Sequence, residues 1–150
     1  MGKNVQIVLT VDASRLYHMA NPSQDDIHEN CSLSDDNDGK SETGKIVDFI
    51  SDVYIAQNVE WVGESKDVGY DIAIESIVYD FDLNDPTDIY FLDDDITITG
   101  SGGKNSKVVA TVKDQAEIAE TNNIYKINFS IYYKKNVKKY LIDPKLRANS

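Results

Sequence analysis

The chain has 150 residues, 26 acids against 15 bases, a formal net charge of -11 and a single cysteine. This length fits one domain, residues 1–150, with a sizeable core. The acidity argues against nucleic acid or an anionic membrane as partner, and the lone Cys31 excludes an internal disulfide.

No apolar run reaches the length of a bilayer span. The opening Met1-Gly2-Lys3-Asn4 lacks the regions of a signal peptide, and Gln6 stands where a myristoylation motif needs Ser or Thr. A cytoplasmic location is therefore expected, and the cysteine usage agrees with it.

Val5, Ile7, Leu9 and Val11 alternate with mostly polar neighbours and predict a first strand ending at Asp12-Ala13-Ser14. Residues 15–44 show little periodicity and read as one long irregular loop, with room for a short strand at Leu16–Met19. Ile46 to Tyr54 fits a helical stripe in part, but its β-branched content favours strands. Asn58 to Val62 predicts a strand with Trp61, the only tryptophan, as a core anchor.

Asp71 to Phe81 predicts a long strand with a phase slip. Ile72 and Ile74 share one face, whereas Ile77, Tyr79 and Phe81 fall on the other, so a β-bulge is expected at Glu75-Ser76. Short strands follow at Ile89–Leu92, Ile96–Thr99 and Val108–Val112, and a helical turn is expected within Lys113–Glu120. The clearest pattern is the last. Tyr125, Ile127, Phe129, Ile131 and Tyr133 fall on every second position, with Lys126, Asn128, Ser130 and Lys134 on the other face; Lys134-Lys135-Asn136 breaks the run, and Tyr140-Leu141-Ile142 answers it. This is a β-hairpin, with Asp143-Pro144 as its stop. Short strands at intervals of about ten residues describe an all-β, antiparallel sandwich of jelly-roll type.

Several stretches, in order along most of the chain, resemble the PixA/AidA family of bacterial inclusion-body proteins. The first strand running into Asp12 resembles the family's opening, and Asn21-Pro22-Ser23-Gln24-Asp25 resembles its N-P-S-Q-D segment. Asn58-Val59-Glu60-Trp61 is similar to its G-D-x-I-x-W strand, with Gln57-Asn58 in place of the Gly-Asp. Tyr125 to Phe129, then Tyr140 to Pro144, resemble its closing segments. The resemblance implies a non-enzymatic, self-associating protein stored as cytoplasmic inclusions, and it carries over no catalytic residue. Some family members are rich in methionine; this chain has only Met1 and Met19, which argues against sulfur storage.

The residues themselves suggest two ligand chemistries. Ser34 to Gly39 begins like an EF-hand loop, but Lys45 occupies the twelfth position and excludes a true one. A looser calcium site would draw on Asp35, Asp36 and Asp38 together with Asp82, Asp85, Asp88, Asp93, Asp94 and Asp95; solvated acidic loops are the alternative. Calcium-bridged loops beside an aromatic platform would suit a carbohydrate-binding, lectin-like module, with Tyr17, Tyr132 and Tyr133 as its partly exposed rings. Cys31 with His18 or His28 lacks the context of a thiolate pair. Charge is also uneven. Residues 1–103 hold 22 acids and 5 bases, whereas residues 104–150 hold 4 acids and 10 bases. Opposed regions of this kind permit head-to-tail association into a homo-oligomer.

Overall fold

The computed structural model describes residues 2–80, 90, 92 and 96–149. Its described elements are β1 (Val5–Val11), α1 (Ala13–Tyr17), α2 (Gln24–Glu29), β2 (Cys31–Asp35), β3 (Lys40–Ser41), β4 (Phe49–Tyr54), β5 (Asn58–Ser65), β6 (Tyr70–Tyr79), β7 (Thr97–Thr99), β8 (Val108–Thr111), β9 (Asn122–Tyr133), β10 (Asn136–Ile142) and β11 (Lys145–Asn149). Short 3-10 turns lie at Ile46–Asp48 and Ala116–Ile118. The second of these is the turn expected within Lys113–Glu120.

The chain is an all-β sandwich. The smaller sheet has the order β2-β1-β5-β8, and the larger runs β3-β4-β11-β9-β6-β7, with β10 also paired to β9. The inward residues Ile7, Leu9, Trp61, Ile74, Ile127, Phe129 and Ile131 are each at most 1% exposed and fill the space between the sheets. Their alternation with polar neighbours is the cause. A period of two sends one set of side chains to the core and the other to water.

Trp61 joins the layers by more than packing. Its indole Nε1–H donates to Tyr125 Oη at 3.0 Å, and the two rings meet edge-on with centroids 5.7 Å apart. Burial pushes the Tyr125 phenol well above its ordinary pKa, so it stays neutral. A second link between the sheets is the Ser51 hydroxyl of β4, which donates to the Asp35 carboxylate of β2.

The β-bulge lies where the phase slip puts it. Ile74 pairs with Phe129 and Ser76 with Asn128, leaving Glu75 as the extra residue. Ile72 and Ile74 before it, and Ile77 and Tyr79 after it, are thereby all buried.

Three readings need correction. Residues 15–44 are not one loop, because they hold the C-terminal part of α1, then α2, β2 and β3. The helices are 5 and 6 residues long, too short to show a period, and Leu16–Met19 belongs partly to α1 rather than to a strand. Secondly, the sheets are mixed: β1 runs parallel to β5, and β4 parallel to β11. Thirdly, Asp143-Pro144 does not end the last hairpin's sheet. Pro144 has no N–H to offer, but its carbonyl accepts from Tyr125 N at 3.1 Å, and the chain re-enters the sheet as β11 along the same side of β9.

Phe129 is fully buried and stacks on Tyr140 with centroids 5.4 Å apart. Phe129→Ala should cost about 3–5 kcal/mol, and Val68→Ala, at a fully exposed position, within about 0.5 kcal/mol. Urea unfolding followed by Trp61 fluorescence checks both.

Candidate functional site

The acidic stretch after β2 is a structural turn. Asp35 Oδ1 accepts the backbone N–H groups of Asn37 and Gly39, each at 3.0 Å, while its other oxygen takes the Ser51 hydroxyl. Gly39 is required here because a Cβ would overlap the Asp35 carboxylate and the Phe49 ring. The pattern that looks like a cation loop therefore closes on the protein's own amides. Asp36 turns to the opposite side and accepts from Gln6 N at 3.0 Å. Asp35, Asp36 and Asp38 do not converge, and among the described residues no three acidic, histidine or cysteine side chains gather where a metal would sit. Asp82, Asp85, Asp88, Asp93, Asp94 and Asp95 lie outside the described residues.

Asp38 instead meets Asp52 on β4. Arg147 on β11 lies beside Asp52 in the parallel register, and its Nε and one terminal nitrogen donate to the carboxylate at 2.7 and 3.1 Å. Asn149 Nδ2 donates to the same group at 3.1 Å. Burial alone would push Asp52 up, but the hydrogen bonds from Arg147, Asn149 and Asp38 outweigh it and hold the carboxyl below its ordinary pKa. Asp38 moves the other way: its hydrogen bond to Asp52 and the neighbouring negative charge both favour the protonated form. The two carboxyls are thus pushed apart, Asp52 towards the ionised form and Asp38 towards the protonated one.

Two of the three tyrosines singled out in the sequence come together. Tyr133 at the end of β9 stacks on Tyr70 at the start of β6, with centroids 4.3 Å apart and planes 9° from parallel. Tyr17 meets Tyr133 edge-on at 5.3 Å, and His18 meets it at 5.7 Å. His18 Nε2 and Tyr70 Oη are 3.0 Å apart. Lys138 Nζ lies 4.4 Å from the Tyr17 ring centre and donates to the Tyr17 carbonyl at 2.6 Å. Lys134 Nζ lies 5.1 Å from the Tyr133 ring centre. Tyr17 is buried, at 8% exposure, and supports the cluster from beneath instead of offering a free face. Tyr132 is adjacent to Tyr133 in a strand and therefore faces the other side, where it pairs with Val137 and Asp71.

Sequence reasoning missed Tyr70, Asp52 and Arg147. Tyr70 carried a signal, since it shares the phase of Ile72 and Ile74, but Arg147 followed the proline read as a stop. Burial pushes the Cys31 thiol up to about 12, which favours its protonated form at neutral pH.

No family model matches the chain, and the curated proteins give no match. Among solved structures, an inclusion body protein (PixA) from Burkholderia cenocepacia J2315 superposes with a TM-score of 0.66 at 11% identity, covering 99% of this chain and 96% of that one. The chain has a PixA-like fold over its full described course. No helix among the described residues is long and apolar enough to cross a membrane.

Because folding lowers the Asp52 pKa, the ionised carboxylate stabilises the fold above the unfolded-chain value of about 3.9, and this contribution is lost as pH falls through the lower folded value. Arg147→Gln should cost about 1–3 kcal/mol at neutral pH, with the gap to the parent narrowing below about pH 4. Denaturation midpoints across a pH series measure it.

Proposed function

We propose that the protein is a non-catalytic, self-associating sandwich of the inclusion-body type that accumulates in the cytoplasm. Contacts between copies are electrostatic, and they set the basic β9–β10 ribbon of one copy against acidic surface of another. The observation that carries this reading is the position of the lysines. Lys134 and Lys135 form the ribbon's turn, and Lys138 and Lys139 lie on β10, which among the described strands pairs with β9 alone. The likeness of fold to an inclusion body protein supports the same reading.

The ribbon's chemistry also limits how copies join. Lysines along an edge strand oppose the addition of a neighbour's strand, because burying their ammonium groups between backbones is costly. Charge contact between faces remains available, and it is reversible and screened by salt.

Light scattering should show particle size falling from low salt to about 0.5 M salt, where the screening length drops below about 5 Å. The double variant Lys135→Glu/Lys139→Glu, which leaves Lys134 and Lys138 on their rings, should stay small even at low salt. A size that ignores both salt and the charge reversal would sink the reading.

Carbohydrate binding is a second reading, favoured by the stacked Tyr70–Tyr133 pair beside His18. Sugar rings lie on aromatic faces, and the neighbouring imidazole and phenol supply polar partners. A glycan array with and without chelator should then show binding that Tyr133→Ala abolishes, and sensitivity to chelator would tie it to calcium. An array with no bound sugar removes this reading.

A further inference from the structure

A cleft lies away from both the ribbon and the aromatic cluster. It has a volume of about 580 Å³ and is open to solvent over β3, β4 and β11. That volume falls within the range of small-molecule sites, about 300–1,000 Å³.

Strand register builds the floor as two rungs. In the first, Ile50 on β4 is flanked by Lys40 on β3 and Lys145 on β11. In the second, Asp52 lies between Asp38 and Arg147. Glu42, Thr43 and Asp48 complete the lining. The Asp48 carboxylate is held by the Thr43 hydroxyl at 2.6 Å and by Lys145 Nζ at 3.6 Å.

These pairings leave a definite remainder. Asp48 is matched with Thr43 and Lys145, Asp52 with Arg147, and Asp38 is turned to Asp52. The Lys40 and Glu42 side chains have no hydrogen-bond or ion-pair partner among the described residues, yet both line the cleft. One ammonium and one carboxylate thus face the same space uncompensated.

The lining excludes other ligand classes. Three cationic side chains repel a metal ion. Four carboxyl groups repel a nucleotide or other polyanion, and the lining has no aromatic ring on which a base or sugar could stack. Ile50 is the only aliphatic lining residue, too little for an apolar ligand. A zwitterion suits what remains, because each of its charges meets an unpaired opposite.

We infer that this cleft binds a small zwitterion, an amino acid or short peptide with free termini, its carboxylate on Lys40, its ammonium on Glu42 and its body against Ile50. This binding is separate from self-association and from sugar recognition.

The test is a proton–nitrogen NMR titration of the full chain with the dipeptide Gly-Val. N-acetyl-Gly-Val, which lacks the ammonium, and Gly-Val amide, which lacks the carboxylate, serve as comparisons. Gly-Val should shift the backbone amides of Lys40, Ile50 and Arg147, and each blocked form should bind about tenfold more weakly, the loss expected for one charge-assisted contact. Lys40→Gln should bind Gly-Val and its amide equally, and Glu42→Gln should bind Gly-Val and its acetylated form equally. Both positions are exposed, and the dispersion of the spectrum confirms that each variant is folded. The inference is overturned if Gly-Val leaves those three amides unmoved at about 20 mM, a concentration that populates even a millimolar complex. Blocked peptides that match the free one, or shifts confined to the Tyr70–Tyr133 end, overturn it equally.

Discussion

The sandwich depends on one buried contact, the indole of Trp61 donating to the phenol of Tyr125 across the gap between the sheets. A tryptophan can be sealed from water only if its N–H finds an acceptor, and a tyrosine only if its oxygen finds a partner. Each residue answers the other's need, so β5 and β9 must face one another at a single separation and a single register. The neighbours inherit that alignment. β1 lies parallel to β5, β6 pairs with β9 along its length, and the aliphatic residues between them close the core. The Ser51–Asp35 bond fixes the two layers at a second point, near the edge strands β2 and β3.

Around that frame, polar chemistry is distributed by strand parity. On β4, Phe49, Ser51 and Val53 turn inward, while Ile50 and Asp52 floor the cleft. On β9, Tyr133 turns to the aromatic cluster and Tyr132 to the opposite face, though the two are adjacent in the chain. Features that look like one site in a linear reading are thus divided between faces, and residues far apart are brought together. Asp52 and Arg147, 95 positions apart, form the closest ion pair among the described residues.

What the sequence showed clearly was what periodicity records. The long alternation from Tyr125 to Tyr133, the anchor at Trp61 and the slip at Glu75 each leave a local trace, because burial of one face acts on every second residue. Short or half-exposed elements leave none. α1 and α2 span fewer than two turns each, and the capping box of α2, where Ser23 and Asp26 exchange hydrogen bonds at 2.9 and 3.1 Å, begins inside the Asn21–Asp25 stretch that had registered only as a resemblance and ends one residue beyond it. β11 has two inward residues, Leu146 and Ala148, too few to stand out after a proline. The parallel pairings join distant strands, and no spacing rule exposes them. The acidic loop reads two ways for a chemical reason: aspartates and a glycine suit a cation, and they equally suit a turn whose own amides reach the Asp35 carboxylate.

The place of β11 bears on how the molecule is made. It is inserted between β4 and β9, parallel to one and antiparallel to the other. Until residues 145–149 have left the ribosome, both of those strands carry open hydrogen-bonding edges, and the larger sheet is split in two. Closure then joins segments about a hundred positions apart, a slow step for any chain. A nascent molecule waiting at that stage exposes two unpaired strand edges to its neighbours. The order of synthesis therefore sets a time window in which strands from different molecules compete with β11 for the same gap.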